Sequence, residues 1–279
     1  MALNLMYITN NPTVASIAEK NGVDRIWIDL ETLGKAERQK NINSVKSHHS
    51  VNDVAVLSAV LKKSELMVRI NPWNKDSEKE IEQVIGFGAD RIMLPMWQGR
   101  EETDGFLNYV KGRVKTTLLL ETKEAVGCLD EIIKNGYIDE IHIGLNDLHL
   151  SYGLKFMFEL LTNGVVEGVC KKLKAVGIPY GFGGIARLGS GMIPAEKIIT
   201  EHYRLGSTKA ILSRSFCNAD EIKDTKEIEE IFSVNMKKLR DFEKIVSLYT
   251  AEQFRQNRQA IERDVAKIVE RENGKILNG

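Results

Sequence analysis

The chain has 279 residues, of which 43% are hydrophobic and 28% charged, a composition that fits one large globular domain. Lysine plus arginine and aspartate plus glutamate both number 39, so the formal net charge is zero and nothing at this level points to nucleic acid or an anionic membrane as a partner. No segment approaches the roughly 18 apolar residues of a membrane span, and the first residues lack the features of a signal peptide. We therefore expect a cytoplasmic protein that acts on a small molecule.

Short apolar runs rich in β-branched residues alternate with helical patterns along the chain, which is typical of parallel βαβ units. The runs predict eight strands, at residues 3–8, 25–30, 66–70, 91–95, 116–120, 140–143, 179–182 and 209–213. Eight strands close a (β/α)8 TIM barrel, although an open, doubly wound sheet would alternate in the same way. The choice between the two folds depends on the motifs.

Three segments carry the signature of a helix start. Asn11-Pro12 offers an N-cap followed by proline at the first helical position, and Ser50 to Asp53 and Ser77 to Glu80 resemble capping boxes. These signals predict helices independently of the apolar periodicity.

From about Asp224 the alternation gives way to two amphipathic helices, the second restarting at a capping box in Thr250 to Gln253. We divide the chain into a barrel domain, residues 1–222, and an additional C-terminal helical extension, residues 223–279. The apolar stripes of the extension would cover either their own barrel or a neighbouring subunit, and we expect a homo-oligomer.

Two carboxylates stand where neighbouring strands are predicted to end. Glu121 follows the fifth strand and Asp147 follows the sixth. The carboxyl ends of barrel strands carry the active site, and oxygen ligands suit Mg²⁺ or Mn²⁺. The alternative is that each carboxylate caps the next helix or pairs with a lysine such as Lys123.

Arg69 lies at the end of the third strand, so its guanidinium is predicted to enter the barrel mouth. There it would donate hydrogen bonds to a carboxylate or an enolate oxygen. A structural salt bridge to Asp29 or Glu31 is the competing interpretation. The turn from Gly144 to Asp147 would present backbone N–H groups to an anion, because glycine allows a close approach.

These residues belong to a collinear series of motifs over about residues 20 to 215, which resembles the HpcH/HpaI aldolase and citrate lyase β-subunit family. The motifs are Ile28-Asp29-Leu30-Glu31, Val68-Arg69-Ile70-Asn71, Met93-Leu94-Pro95-Met96, Leu120-Glu121-Thr122-Lys123-Glu124-Ala125 and Ile143-Gly144-Leu145-Asn146-Asp147. The resemblance implies a barrel of the phosphoenolpyruvate/pyruvate type and a metal-dependent carbon–carbon lyase that works through a metal-bound enolate.

The resemblance also implies roles for single residues. Glu121 and Asp147 match the ligands of the divalent metal, Mg or Mn, and Arg69 matches the arginine that stabilises the enolate. The backbone of Gly144, Asn146 and Asp147 matches the loop that holds the carboxylate of a 2-oxo acid or phosphoenolpyruvate-like substrate.

The chain departs from the pyruvate-aldolase branch of this family at two positions. Thr32 stands where that branch has a histidine, and Leu119 replaces a glutamine. The acid/base group must therefore be sought elsewhere, and the candidates are His149, which follows Asp147 by two residues, and His48 and His49 in the loop after strand two.

Arg187 and Arg214 follow strands seven and eight, where barrels often bind phosphate, and the glycine-rich segment Gly181 to Ala186 lies beside them. The alternative is that both arginines are surface residues. An anion site here would suit a lyase acting on a CoA thioester, or the transfer of an enolpyruvyl-type three-carbon unit to a phosphorylated or nucleotide-linked sugar. A non-catalytic barrel with an assembly role is the third hypothesis.

Overall fold

The computed structural model describes residues 2–34 and 49–277, with side chains described as far as residue 274. Eight parallel strands form a closed barrel in sequence order, which confirms the predicted (β/α)8 fold. The strands are β1 (Asn4–Ile8), β2 (Arg25–Asp29), β3 (Glu65–Arg69), β4 (Arg91–Leu94), β5 (Lys115–Leu120), β6 (Glu140–Ile143), β7 (Tyr180–Ile185) and β8 (Lys209–Leu212). Seven start and end within one residue of the prediction, whereas β7 continues three residues further, through its glycines.

Helices separate and follow the strands over the described residues. They are α1 (Pro12–Lys20), α2 (Val51–Val60), α3 (Ser77–Gly86), α4 (Arg100–Val110), α5 (Lys123–Ile132), α6 (Leu145–Ser151), α7 (Glu159–Thr162), α8 (Val165–Val176), α9 (Ala195–Leu205), α10 (Thr225–Val246) and α11 (Ala251–Leu277). None of these helices has both the length and the apolar character needed to cross a membrane.

Most of the predicted helix starts are confirmed by hydrogen bonds. The Asn11 side chain accepts from the backbone N–H of Thr13 at 2.9 Å and so caps α1. Ser50 N–H donates to the Asp53 carboxylate at 2.7 Å, and Thr250 N–H donates to the Gln253 side chain at 2.8 Å. Each bond satisfies a polar group at a helix start.

The capping box predicted at Ser77 to Glu80 is wrong. Helix α3 begins at Ser77 itself, whose hydroxyl accepts from Asn74 N–H at 2.8 Å. Glu80 instead accepts from the side-chain amide of Asn71 at 2.9 Å. The side chains of Ser77 and Glu80 accept hydrogen bonds from the loop before the helix. They therefore do not form the reciprocal side-chain-to-backbone bonds of a capping box.

The two C-terminal helices pack on their own chain. Helix α10 lies against α1, and α11 lies against α9. Ile261 and Val265 of α11 are buried, and Lys197 of α9 pairs with Asp264 at 2.5 Å. The apolar stripes therefore cover helices of the same chain, which is one of the two arrangements that the sequence predicts.

Charged side chains from alternate strands fill the base of the barrel. Glu140 lies between three cations, at 2.6 Å from Arg25, 3.4 Å from Arg91 and 3.3 Å from Lys209. Barrel interiors usually contain layers of branched apolar residues from alternate strands. The apolar layer lies above this charged one and is formed by Met6, Trp27, Met67, Met93 and Leu119.

Candidate active site

The carboxyl end of the barrel holds most of the charged residues that the sequence singles out. Asp29 ends β2, Arg69 ends β3, Glu121 follows β5, and Asp147 lies in the first turn of α6. Glu31 joins them from the segment after β2, at 3.3 Å from Arg69. The mouth therefore contains four carboxylates and one arginine among these residues.

Arg69 is held on two sides. Its Nε and Nη2 donate to the two oxygens of Asp29 at 2.9 and 2.8 Å, and its guanidinium lies over the Trp27 ring at 5.1 Å. Burial alone lowers the pKa of Arg69, but the carboxylates of Asp29 and Glu31 outweigh it and raise the pKa above its usual value. The salt bridge considered as an alternative is thus present, and it fixes the arginine at the mouth.

The salt bridge leaves part of Arg69 available. A guanidinium carries five N–H donors, and no described residue accepts a hydrogen bond from the two on Nη1. The side chain is 12% exposed. Arg69 can therefore bind a substrate oxygen without losing its contact with Asp29.

Glu121 is a buried carboxylate, only 2% exposed. Its Oε1 accepts a hydrogen bond from the backbone N–H of Met96 at 3.0 Å. Burial first, and then the charge of Asp147, raise the pKa of Glu121 well above its usual range, whereas Arg69 lowers it. The two predicted metal ligands are thus close enough to repel each other.

Gly144 lies directly against Glu121. A Cβ atom at this position would be 2.9 Å from Glu121 Oε2, closer than real Cβ contacts. Gly144 N–H donates to the carbonyl of Leu120 at 2.9 Å, so this amide belongs to the barrel rather than to an anion site. Asn146, also predicted to bind substrate, is exposed at the start of α6.

Met96 has an unusual backbone. Its φ is 55°, in the left-handed region, which costs a residue with a side chain roughly 1–2 kcal/mol. This conformation directs the Met96 N–H at Glu121. This contribution was not predictable from the sequence, because any residue type can supply a backbone amide.

The ligand set fits a hard divalent cation. Among the described residues no group of three or more His, Cys, Asp or Glu side chains is arranged to hold an ion, so the protein would supply two carboxylates, Glu121 and Asp147. Mg²⁺ and Mn²⁺ accept such sets, with water and substrate as the remaining ligands. A dication would also relieve the repulsion that raises the pKa of Glu121.

The segment around Thr32 is hydrogen-bonded to the loop that follows β3. The side-chain oxygen of Asn71 accepts from the backbone N–H of Thr32 at 2.9 Å and from that of Leu33 at 3.0 Å. Thr32 is exposed. A side chain at position 32 therefore projects from an ordered backbone.

The candidate histidines differ in their surroundings. His48 lies outside the described residues. His49 Nδ1 accepts from Asp29 N–H at 3.0 Å, so a neutral ring carries its proton on Nε2. His149 Nδ1 lies 3.2 Å from the Leu145 carbonyl. Because residues two apart on a helix point about 160° apart, His149 and Asp147 face different sides of α6. The catalytic role of each histidine stays a prediction.

Arg187 and Arg214 are both exposed beyond the ends of neighbouring strands β7 and β8. Neither guanidinium forms an ion pair or hydrogen bond with a described residue. The glycines of the segment 181–186 lie inside β7 rather than in a turn that starts a helix. A dinucleotide-binding glycine motif lies in the turn between a strand and the helix that follows it, so this segment is not arranged as such a motif.

The fold and the mouth define a class of protein: a (β/α)8 barrel with paired carboxylates and an arginine at the carboxyl ends of its strands. The model of the HpcH/HpaI aldolase/citrate lyase family matches residues 4–159. That match covers more than half of the 279 residues, and the chain belongs to this family of aldolases and lyases. No curated protein sequence is similar enough to this chain to count as a relative.

Solved structures with the same fold are distant in sequence. An HpcH/HpaI aldolase from Desulfitobacterium hafniense DCB-2 is 15% identical over 86% of this chain and 93% of its own, with a TM-score of 0.61. The citrate synthase SbnG is 16% identical over 86% and 94%, with a TM-score of 0.58. The protein CitE from Mycobacterium tuberculosis, in complex with magnesium and acetate, is 14% identical over 86% and 97%, with a TM-score of 0.57. At these identities the likeness shows the fold alone.

Proposed function

We propose that this protein is a metal-dependent carbon–carbon lyase, or catalyses the reverse condensation, on a small 2-oxo acid of the pyruvate or oxaloacetate type. The observation that carries the proposal is the pairing of buried Glu121 with Asp147 beside Arg69 at the barrel mouth. Membership in a family of aldolases and lyases supports the same chemistry.

In this proposal Glu121 and Asp147 hold Mg²⁺ or Mn²⁺, which supplies positive charge for the carbonyl oxygen of the substrate. Arg69 donates from Nη1 to the oxygen on which negative charge develops as the carbon–carbon bond breaks. Asp29 and Trp27 keep its guanidinium in place, so the site needs little rearrangement during the reaction.

The test is pyruvate release from a panel of 4-hydroxy-2-oxo acids with Mg²⁺ or Mn²⁺. We expect turnover that chelation abolishes and that Arg69→Lys lowers by about a hundredfold or more, because a lysine lacks the fork that binds Asp29 and the substrate together. Arg113→Lys, an exposed ion pair with Glu82, is the matched control. Absence of turnover, together with absence of ion binding, would reject the proposal.

A second candidate function uses the same site at the barrel mouth but acts on a larger substrate that contains phosphate. Arg187 and Arg214 lie next to each other in the barrel order, exposed and without an ion pair to a described residue. We propose them as the binding site for the phosphate of a CoA thioester or of a phosphorylated or nucleotide-linked sugar. Crystals soaked with a CoA ester or a nucleotide sugar would show density beside both arginines, whereas empty density there would reject this version.

A further inference from the structure

We propose that the left-handed backbone of Met96 is a positioning device that aims its N–H at Glu121 and holds this carboxylate in the orientation that binds the cation. The inference rests on the proposed function for the identity of the ion. The hydrogen bond from Met96 to Glu121 is observed independently, at 3.0 Å.

Among the described residues, two non-glycine residues have a positive φ, and they differ in setting. Lys111, with a φ of 46°, terminates α4, is exposed, and donates its N–H to the carbonyl of Leu107. Left-handed residues are common at helix ends. Met96, with a φ of 55°, lies in the loop after β4, and its N–H points to a buried charge instead of a helix carbonyl.

The sequence gives no local reason for the conformation of Met96. Asparagine, aspartate and histidine are the side chains enriched at positive φ, and methionine is not among them. Backbone strain persists only where the surrounding structure imposes it, and it concentrates at functional sites. At Met96 the strained conformation allows the backbone N–H to donate a hydrogen bond to the Glu121 carboxylate.

Glu121 is confined from its other side as well. Gly144 lies so close that a Cβ atom there would be 2.9 Å from Oε2 and 3.0 Å from the Glu121 Cβ. No described residue donates a hydrogen bond to Oε2. The Met96 N–H therefore fixes Oε1, Gly144 limits the rotation of the side chain, and Oε2 is left for an additional ligand.

Met96 and Lys111 form a matched pair for the experiment. Valine disfavours the left-handed conformation, whereas glycine adopts it without cost. We expect Met96→Val and Lys111→Val each to lower the Tm by about 2–4 °C, while only Met96→Val weakens Mn²⁺ binding, by tenfold or more. Met96→Gly, Lys111→Gly and the size-conserving Met96→Leu should bind Mn²⁺ as the native protein does.

A readout without any ion separates this inference from the proposed function. In protein labelled with ¹⁵N-methionine, the Met96 amide signal is identified by its loss in Met96→Leu. We expect Glu121→Ala to shift this amide proton upfield and to accelerate its exchange by at least tenfold, because the carboxylate acceptor is gone.

The outcomes are distinct. Native protein that binds no Mn²⁺ rejects the proposed function, and an unshifted Met96 amide in Glu121→Ala rejects the positioning role. Native Mn²⁺ affinity in a folded Met96→Val also rejects it. If Met96→Val does not fold, the amide shift in Glu121→Ala and retained Mn²⁺ affinity in Met96→Leu decide the question.

Discussion

At the scale of single residues, Glu121 is in an environment that is unfavourable for a lone carboxylate. Burial and the charge of Asp147 raise its pKa, whereas Arg69 and the hydrogen bond from the Met96 N–H stabilise the charged form. Burying a charge is costly unless it is paired or bound to a metal. This is the position at which we propose that a divalent ion binds and offsets the cost.

We predict that Glu121→Gln removes the stabilisation that Mg²⁺ gives the protein. Without ions, the variant should be at least as stable as the native protein, since the repulsion from Asp147 is gone. At a Mg²⁺ concentration of about 100 times Kd, the native protein should gain about 2.7 kcal/mol and the variant almost nothing. Chemical denaturation with and without Mg²⁺ measures this. Glu124→Gln, exposed on the following helix, should behave as the native protein does.

Thr32 is one of the two positions at which the sequence departs from the pyruvate-aldolase pattern that it resembles. Asn71 holds the backbone of Thr32 and Leu33. We therefore expect Thr32→His to raise the rate of pyruvate release from 4-hydroxy-2-oxo acids by about a hundredfold, the usual lower value for a general acid or base. Leu33→His is the control and should have no effect. An unchanged rate in Thr32→His would show that a histidine at this position is not what limits aldol cleavage.

At the scale of secondary structure elements, the glycine that follows β6 determines how closely the ends of β5 and β6 bring their functional groups together. Gly144 faces Glu121 at a distance that admits no Cβ. We predict that Gly144→Ala weakens Mn²⁺ binding by at least tenfold while the protein stays folded, as measured by calorimetry and circular dichroism. Gly168→Ala, inside α8 with no atom within 4 Å of the added Cβ, should instead raise stability by about 0.5–1 kcal/mol.

The elements themselves were largely predictable, because apolar periodicity and caps are local signals. The ends of β6 and the cap at Asn11 are examples. The length of β7 could not be predicted, because a strand rich in glycine has no apolar pattern. Its pairing register with β8 also shifts between Gly181 and Gly184. Glu121 and Arg69 were predictable from their positions at strand ends, whereas the Met96 amide and the Trp27 ring beneath Arg69 depend on tertiary contacts that no local pattern records.

At the scale of the whole molecule, the two ends of the barrel use charge differently. The mouth has an excess of carboxylates. At the base, burial raises the pKa of Glu140, but the three cations around it outweigh burial and lower the pKa to about 2. A carboxylate with a lowered pKa stabilises the fold above its usual pKa of 4.5, and this stabilisation is lost as the pH falls from 4.5 towards 2. The base is therefore a pH-dependent structural element rather than part of the active site.

We predict that Glu140→Gln costs about 3–5 kcal/mol at pH 7, because it removes the buried carboxylate that balances Arg25, Arg91 and Lys209. The difference from the native protein should shrink by about 3 kcal/mol between pH 5 and pH 2, where the native Glu140 also becomes protonated. Guanidinium denaturation at several pH values measures both effects. Glu82→Gln, an exposed partner of Arg113, should denature as the native protein does throughout this pH range, because exposed ion pairs contribute little to stability.

The central claim is that Glu121 and Asp147 hold a divalent cation that binds a pyruvate-like unit. The most direct measurement is a crystal structure with Mn²⁺ and oxalate, a mimic of the pyruvate enolate. We expect an anomalous manganese peak bonded to Glu121 Oε2 and to Asp147, with oxalate completing its ligands and Arg69 Nη1 donating to an oxalate oxygen. A barrel mouth without manganese at saturating Mn²⁺ and oxalate, or an ion held by other residues, would contradict it.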